Sequence, residues 1–392
     1  MPLPLPSPLP AFMLRLALLA VSAPAAAAPG DNCAPGRFID QTLPQGGRWQ
    51  MCWEVRAEEG PVFFDVYYVT PTGVSRLVLR EAALSQIHVS YDDGAAPQQL
   101  VTYPGLGGAA LRDLVAQDCA GGTRLTDGGK HVLCRRVDDL GYLYKHYGVQ
   151  KQSYGLRLSS LSRVGDLAYV VQWRFLDAGG IEPAVRLTGK IPRLGSDERF
   201  GFPLDAAGTV GVGQVHSYVW KLAFDLADNG DNDVLEEIEF VPASSQTRRN
   251  YQATALTSEG GRSLDPGLMR SWRIRDDDVT NADGHDISYH LEPLDARYRY
   301  DGGAGEPWSA HDLWATVPKP CERFAVGNPT AGGCATDVSG FADGESILRR
   351  RITLWYEVSA YLLPRAEDQP FVNTHWVGFR VTPRDWTHVS GF

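Results

Sequence analysis

The chain has 392 residues, of which 43% are apolar, 21% charged and 10% aromatic. This composition excludes a disordered protein and a disulfide-only miniprotein, and it predicts a large buried core. The 37 Lys and Arg against 47 Asp and Glu give a formal net charge of −10, and no basic run is interleaved with aromatic residues. We therefore expect no nucleic-acid partner, because a phosphate backbone needs a cationic surface.

Residues 1–28 have the pattern of a secretory signal peptide. From Met13 the sequence MLRLALLAVSAPAAAA has one cation, a short apolar run and then small residues that suit a signal peptidase. The run from Leu14 to Val21 is too short to cross a bilayer, and no later stretch stays apolar for the ~18 residues that a membrane helix needs. The mature protein is therefore expected to be secreted or periplasmic, with no membrane partner.

After a lead-in over residues 29–46, most of the chain is predicted to form strands. Stretches rich in β-branched and aromatic residues with a period of two occur at 62–69, 167–175, 352–363 and 375–381. Gly- and Asn-rich turns separate them, and 41 Gly with 26 Pro leave little room for long helices. Only Ala109–Gln117 has a helical pattern.

The strand pattern predicts the architecture. No internal repeat at a fixed period is visible, which argues against a propeller or a solenoid. No linker of biased composition divides the mature chain. We therefore predict an all-β fold, a large antiparallel β-sandwich with few short helices, formed by one domain over residues 47–392.

Six cysteines follow the signal peptide, and an even number in an oxidising compartment indicates disulfides. They form three sequence-local couples: Cys33 with Cys52, Cys119 with Cys134, and Cys321 with Cys334. Six cysteines can pair in many ways, so the sequence leaves the connectivity open. Zinc binding is the alternative, but no CxxC couple is present and the spacings fit a metal poorly.

The order of motifs from about Gly47 to Phe392 resembles the catalytic domain of the copper amine oxidases, the topaquinone enzymes that oxidise primary amines. The segments that carry the resemblance include RWQMCW from Arg48, REAALSQIHVSY from Arg80, YVVQWRFLDAGGIE from Tyr169, WSAHDLWATVPKPCERFAVG from Trp308, and PRAED from Pro364. This resemblance implies the large β-sandwich of that family and a homodimer. It also implies where the family's quinone, copper and catalytic base would lie.

In the family, a tyrosine in a T-x-x-N-Y-[DE]-Y motif is oxidised by bound copper to a quinone, which forms a Schiff base with the amine. The corresponding residues here are 163–169, so Leu167 stands at the position of the modified tyrosine, after Asp166. Leucine has no ring to hydroxylate. Tyr169 matches the second tyrosine of the motif, whose ordinary role is structural.

Three histidines bind copper in the family, two from an H-x-H strand and one from an H-x-P-R segment. The matching residues are Gln214, His216 and Leu362, so one imidazole of three remains. A glutamine amide is a poor copper ligand and a leucine is none, so no copper site of the family type is expected. On its own, His216 is more often a hydrogen-bonded core residue than a ligand.

The family's catalytic base is an aspartate in an F-D-x-G-E-Y-G-L-G loop. Residues 102–107 (TYPGLG) match its flanks across a deletion, and no carboxylate lies between Asp93 and Asp113. The family's calcium site is also altered, since its D-x-D pair becomes residues 223–225 (AFD) and a later aspartate becomes Arg351. The acidic run from Asp228 to Asp233 is either a calcium loop or, in the plainer interpretation, a solvated turn.

These replacements favour a secreted amine-oxidase-like protein that has lost its activity and serves a binding or structural role for an unknown small-molecule or protein ligand. Neither copper nor topaquinone is then expected. The first alternative is an enzyme with different chemistry in the former pocket, drawing on Asp166, Tyr169, Lys145, His146 and His216. The second is a copper and quinone oxidase with a displaced site.

Overall fold

A computed structural model describes Met1 and residues 28–195, 199, 201–243, 248–294 and 298–392. Apart from Met1 and Ala28, the predicted signal peptide lies outside the described residues. Among the described helices, none has the length and apolarity that crossing a membrane requires.

Strands make up most of the described chain. The strands are β1 (Phe38–Thr42), β2 (Arg48–Arg56), β3 (Gly60–Val69), β4 (Ser75–Tyr91), β5 (Gln98–Gln99), β6 (Thr123–Asp127), β7 (Lys130–His146), β8 (Val149–Val164), β9 (Leu167–Leu176), β10 (Ile181–Gly189), β11 (Leu194–Gly195), β12 (Phe202–Pro203), β13 (Val210–Gly211), β14 (Gln214–Phe224), β15 (Asp233–Pro242), β16 (Arg249–Ala255), β17 (Gly260–Arg262), β18 (Ser271–Thr280), β19 (Asp286–Glu292), β20 (Leu313–Thr316), β21 (Ile352–Leu362), β22 (Val372–Gly378) and β23 (Arg380–Arg384).

The described helices are short. One turn of α-helix, α1, spans Val338–Phe341. The described 3₁₀ turns are Ala116–Cys119, Leu226–Asp228, Gly303–Gly305, Pro307–Ala310, Ala331–Gly333 and Ala366–Asp368.

The strands form two large sheets. The first has nine strands in the order β1-β2-β3-β4-β14-β21-β20-β17, with β5 added beside β4. The second has eleven strands in the order β16-β15-β18-β19-β23-β10-β9-β8-β7-β6, with β22 added beside β10. A small sheet orders β11-β13-β12. The described strand pairs are antiparallel, for example β14 with β21 and β9 with β10, which confirms the predicted all-β class.

The two large sheets pack face to face. Trp173 on β9 of the second sheet meets Trp220 on β14 of the first edge-to-face, with 5.0 Å between ring centroids. Trp49 on β2 similarly lies 5.0 Å from Phe175 on β9. These rings are fully buried, and such aromatic pairs add to the free energy gained by burying their area. The core of the molecule therefore lies between the sheets, as a sandwich requires.

The helical interpretation of Ala109–Gln117 is wrong. The helical geometry found here is a 3₁₀ turn at Ala116–Cys119, which begins only at the end of the segment. The backbone instead pairs with β8, because the Arg112 amide donates to the Leu161 carbonyl and the Arg163 amide to the Ala110 carbonyl, both at 2.9 Å. Tertiary hydrogen bonds take the donors and acceptors that a helix would have used. The predicted strand at 375–381 is also divided, since Phe379 separates β22 from β23.

All three predicted disulfides are confirmed. Cys33 is bonded to Cys52, Cys119 to Cys134, and Cys321 to Cys334, so the chain has no free cysteine. Each bond closes a short loop, with sequence separations of 19, 15 and 13 residues. Each cysteine is bonded to its neighbour in the order of cysteines along the chain, and this is why the spacing of the cysteines indicated these couples. The alternative of a zinc site is excluded because the bonded sulfurs carry no thiolate.

Candidate functional site

Strand register brings together the three residues that the resemblance places at copper-ligand positions. Gln214 at the start of β14 lies directly opposite Leu362 at the end of β21. His216 follows two residues later on β14, so it points to the same face of the sheet. All three side chains are buried, and none is more than 3% exposed.

Both ring nitrogens of His216 are occupied by protein atoms. Its Nδ1 lies 3.4 Å from the hydroxyl of Tyr169, and its Nε2 lies 3.1 Å from Oε1 of Gln214. The amide oxygen can only accept, so Nε2–H donates to Gln214 and Nδ1 accepts from Tyr169. Burial, and secondarily the nearby His88, lowers the pKa of His216 to about 3, so the ring is neutral at physiological pH.

These residues do not fit a copper ion. Leu362 offers hydrocarbon where a ligand would be needed, and the amide oxygen of Gln214, the atom that could coordinate a metal, already accepts a hydrogen bond from His216. The Nε2 group of Gln214 has no hydrogen-bond partner among the described residues, and an N–H group cannot coordinate a cation. The position that corresponds to the family's copper site thus holds a hydrogen-bonded chain, from Tyr169 through His216 to Gln214, beside an aliphatic side chain.

Leu167 lies at the wall of an open cleft. It begins β9, two residues before Tyr169, so both side chains point to the same face of the strand. A cleft of about 670 Å³ is lined by Leu167, Tyr169, Asp166 and residues 102–104, among others. The segment that resembles the family's base loop therefore meets the quinone position, as the resemblance implies. Asp166 is the carboxylate among the residues that line this cleft.

Lys145 and His146 do not reach this cleft. They end β7 at the tip of the long β7–β8 hairpin, where both are exposed and Lys145 Nζ lies 3.3 Å from the hydroxyl of Tyr142. In the alternative of new chemistry they would line one pocket with Asp166 and Tyr169, and the structure does not bring them there, because the hairpin carries them away from the start of β9. Burial raises the pKa of the Tyr169 phenol well above its usual range, so that group stays protonated.

The acidic loop that the sequence left as a calcium loop or a solvated turn is engaged by arginines. The guanidinium of Arg80 bridges Asp225 at 2.9 Å and Asp65 at 3.2 Å, and it also pairs with Asp228. Asp231 lies near Arg351, with 3.6 Å between the charged groups. The arginine side chains therefore supply the positive charge that balances these carboxylates.

A second carboxylate cluster was missed by sequence reasoning. Oxygens of Glu259, Asp343 and Glu345 lie within 4.8 Å of one another, and such oxygens suit Ca²⁺. The ammonium of Lys319 lies 3.2 Å from Asp343 and 3.5 Å from Glu345 and supplies a counter-charge. Glu259 is far from the other two in sequence, so no local spacing could have indicated the cluster.

Sequence reasoning also missed a buried polar layer on the other face of the first sheet. His88 on β4 meets Glu306 at 2.8 Å, and Glu357 on β21 accepts from the Ser359 hydroxyl at 2.8 Å. Glu357 is 5% exposed, and burial raises its pKa to about 8. This carboxyl is therefore largely protonated at neutral pH. The only sign of this layer in the sequence was the alternation of polar and apolar residues around Val358 in β21.

Comparisons with known proteins agree with this fold. A family model described as copper amine oxidase, enzyme domain, matches residues 45–390. The histamine oxidase of Arthrobacter globiformis is 24% identical over 377 residues, which cover 84% of this chain and 54% of that protein. The copper-containing diamine oxidase 1 of Nicotiana tabacum is 25% identical over 393 residues, covering 87% and 49%. The chain spans about half the length of these curated relatives.

Solved structures show the same architecture. The crystal structure of a copper-containing benzylamine oxidase from Hansenula polymorpha superposes with a TM-score of 0.75 at 17% sequence identity. That match covers 88% of this chain and 60% of the other. The family model spans most of the sequence and the two-sheet fold is shared with known members, and on these grounds the chain belongs to the copper amine oxidase family.

Proposed function

We propose that this protein is a secreted copper amine oxidase homologue that no longer oxidises amines and instead binds a ligand in the cleft beside Leu167. The observation that carries the proposal is the arrangement around His216. The one retained imidazole has both nitrogens engaged by Tyr169 and Gln214, and Leu362 stands opposite. Without copper, nothing would oxidise a tyrosine, and the quinone position is itself a leucine.

The open cleft supports a binding role. A cleft of about 670 Å³ lies within the size range of small-molecule sites. The cleft is open although a leucine stands at the quinone position. The Leu167 side chain is nearly buried in the wall of the cleft and does not fill it. A ligand in this cleft would contact Leu167 and Tyr103 and could pair a positive charge with Asp166.

The alternative of new chemistry in the cleft is less well supported. A nucleophile or general base must reach the substrate in an activated form. Tyr169 is held protonated by burial, and Lys145 and His146 lie on the distant hairpin tip. A displaced quinone at Tyr169 would require copper beside it, and the neighbouring residues do not fit that ion.

Two further expectations belong to this proposal. Export is supported by the pattern of residues 13–28 and by three disulfides, which persist in oxidising compartments. A homodimer is supported by the resemblance to the family and by the exposed edge strand β16, whose residues are all exposed in the single chain.

Metal and activity measurements on the purified chain test the central proposal. After incubation with copper(II) in air, we expect substoichiometric copper by elemental analysis, a negative quinone redox-cycling stain, and no hydrogen peroxide from benzylamine or histamine. The matched control is the double variant Gln214→His/Leu362→His, which restores three imidazoles on facing strands. That variant should bind about one copper ion per chain, because imidazole is a good copper ligand.

Stoichiometric copper together with a positive stain in the unmodified protein would overturn the proposal. Peroxide release from a primary amine would do the same. A thermal melt of the double variant shows whether its buried imidazoles are tolerated, so that an absence of copper there is not mistaken for an unfolded control.

A further inference from the structure

The outer face of the second sheet carries a continuous groove that is separate from the cleft. Three cavities of about 250, 400 and 480 Å³ lie along it. The first two share the wall residues Arg157, Gln172 and Trp376. The last two share Arg174, Glu182 and Arg380, so the three cavities join end to end. The groove is therefore elongated, and it lies on the faces of β8, β9 and β10 opposite to Leu167 and Tyr169.

Arginine dominates the groove. Four arginines line it, at positions 157, 174, 186 and 380, against two carboxylates, Asp118 and Glu182. This is a local excess of two positive charges on a chain whose formal net charge is −10. Such a reversal of sign on one face of an acidic protein indicates an anionic partner.

Register places like charges side by side. Arg136, Arg157 and Arg174 lie directly opposite one another on three adjacent strands, an arrangement that costs free energy. Burial, together with these neighbouring arginines, lowers the pKa of Arg157. A bound anion would relieve the repulsion between the guanidinium groups.

Two carboxylates, Glu182 and Asp138, brace the row formed by Arg136, Arg157 and Arg174. Glu182 accepts from Arg174 at 2.9 Å and from Arg380 at 2.7 Å, and Asp138 pairs with Arg157 at 3.2 Å. These pairs hold the guanidinium planes in place before any ligand arrives, which lowers the entropy lost on binding.

One donor in the row remains unused within the described part of the chain. The Nε group of Arg174 is buried and makes no hydrogen bond there, whereas Nε of Arg157 lies 3.2 Å from Asp138. Buried donors of this kind normally have acceptors. A carboxylate or sulfate group is the acceptor that matches the planar guanidinium fork.

Aromatic and neutral polar groups complete the surface. Trp376 on β22 is 44% exposed, and the guanidinium of Arg186 lies 5.4 Å from its ring. Gln172, Ser159 and Thr382 add amide and hydroxyl groups along the same groove. A flat indole beside hydroxyl partners suits a sugar ring, which has one apolar face and a polar edge.

We propose that this groove binds an anionic saccharide chain, one that carries uronate carboxylates or sulfate groups. The arginine row takes the anionic groups, and the Trp376 indole stacks on a sugar ring. An acidic peptide fits less well, because peptides usually add to a sheet edge through backbone hydrogen bonds, and this is the face of paired strands. Nucleic acid fits less well, because a long phosphate backbone needs an extended cationic surface and the chain carries a formal net charge of −10.

Calorimetric titration of the full chain tests the proposal. The ligands are a polygalacturonate hexasaccharide, a dextran sulfate oligomer of similar length, and neutral maltohexaose. We expect at least one anionic oligomer to bind, with an affinity that falls as salt is added, and maltohexaose not to bind. The anionic oligomer that binds more tightly identifies the preferred anionic group.

The double variant Arg157→Gln/Arg174→Gln should weaken this binding at least about tenfold, because two charge-assisted contacts are lost. The control Arg249→Gln removes the same kind of charge from the exposed strand β16 and should leave binding unchanged. Thermal melts check that each variant is folded. If the double variant does not fold, Trp376→Ala and Arg380→Gln, at more exposed positions, replace it with the same expected direction.

Three results would overturn the proposal. One is the absence of binding by both anionic oligomers at low salt. Another is unchanged affinity in folded variants of the arginine row. The third is equal or tighter binding of an oligo-aspartate peptide or a short single-stranded DNA of matched charge, which would assign the groove to a different class of partner.

Discussion

His216 shows how a buried imidazole is stabilised by hydrogen bonds at both of its ring nitrogens. Its ring lies between a phenol and an amide, with distances of 3.4 and 3.1 Å to Tyr169 and Gln214. A neutral imidazole can accept at one nitrogen and donate at the other, so both requirements are met without a metal. Leu362 then completes the surroundings as a core residue. Most of these buried polar groups have hydrogen-bond partners, with the Nε2 group of Gln214 as the exception among the described residues, and this is why the site can be part of a stable fold.

Glu357 is the residue whose titration should be visible in the stability of the whole protein. Its folded-state pKa is about 8, against an ordinary value of 4.5, so the folded protein holds a proton that the unfolded chain releases between these values. Stability from this group is therefore complete below about pH 4.5 and is lost as the pH rises toward 8. Glu357→Gln should remove this dependence and make the protein more stable at pH 8, by about 4 kcal/mol.

Urea denaturation at pH 5, 6.5 and 8 measures the effect as the difference between variant and parent. Comparing differences cancels the contributions of other groups, such as Glu322, whose pKa is also raised by burial. The control Glu367→Gln alters an exposed carboxylate and should shift all three values equally. A variant that is less stable than its parent by the same amount at every pH would show that Glu357 is ionised in the folded protein.

At the scale of elements, pairing between strands decides what each segment becomes. The chain around Ala110 and Arg112 hydrogen-bonds to β8 and forms no helix, although its residues have a helical period. The Cys119–Cys134 bond follows this segment and ties the 3₁₀ turn at Ala116–Cys119 to β7. Leu114 and Leu161 pack around that bond in a small apolar cluster.

Removing this disulfide should therefore destabilise the edge of the second sheet. The bond closes a loop with a sequence separation of 15 residues, for which the loop-entropy model gives about 3 kcal/mol. We expect the double variant Cys119→Ala/Cys134→Ala to lose that amount in urea denaturation. Alanine is chosen because a serine hydroxyl would be buried in the apolar cluster.

The double variant Cys33→Ala/Cys52→Ala is the comparison, since its loop is of similar length, at 19 residues, but joins the lead-in segment to β2. Both variants should unfold in a single transition. A loss well below 1 kcal/mol for the first pair would mean that the packing of Leu114 and Leu161 holds this edge without the bond.

At the scale of the molecule, two sheets enclose one aromatic core and present two different surfaces. The inner faces of β9 and β14 carry Tyr169, Gln214 and His216 and the wall of the cleft. The outer faces of β8, β9 and β10 carry the arginine groove. One set of strands thus positions both candidate sites, with opposite residues of each strand.

The exposed strand β16 leads to a prediction about assembly. It ends the second sheet, and its seven residues are all exposed in the single chain, which leaves an edge free for pairing. We expect light scattering to give twice the mass of the chain. Tyr251→Asp, which puts a charge on β16, should shift the protein toward the monomer, and Val115→Asp, on an exposed turn elsewhere, should not.

A wild-type protein that is monomeric at micromolar concentration would contradict this prediction. So would a dimer that Tyr251→Asp leaves intact, because the interface would then lie elsewhere.

The sequence by itself determined the class of fold and indicated the disulfide couples, through strand periodicity and cysteine spacing. Its motif order carries the resemblance that assigns residues to the family's quinone and copper positions. Only the tertiary structure decided how those residues are used. Gln214 and Leu362 are 148 positions apart, and strand register makes them neighbours. The same is true of the arginine groove, which the net charge of −10 concealed because a sum over the chain carries no information about position.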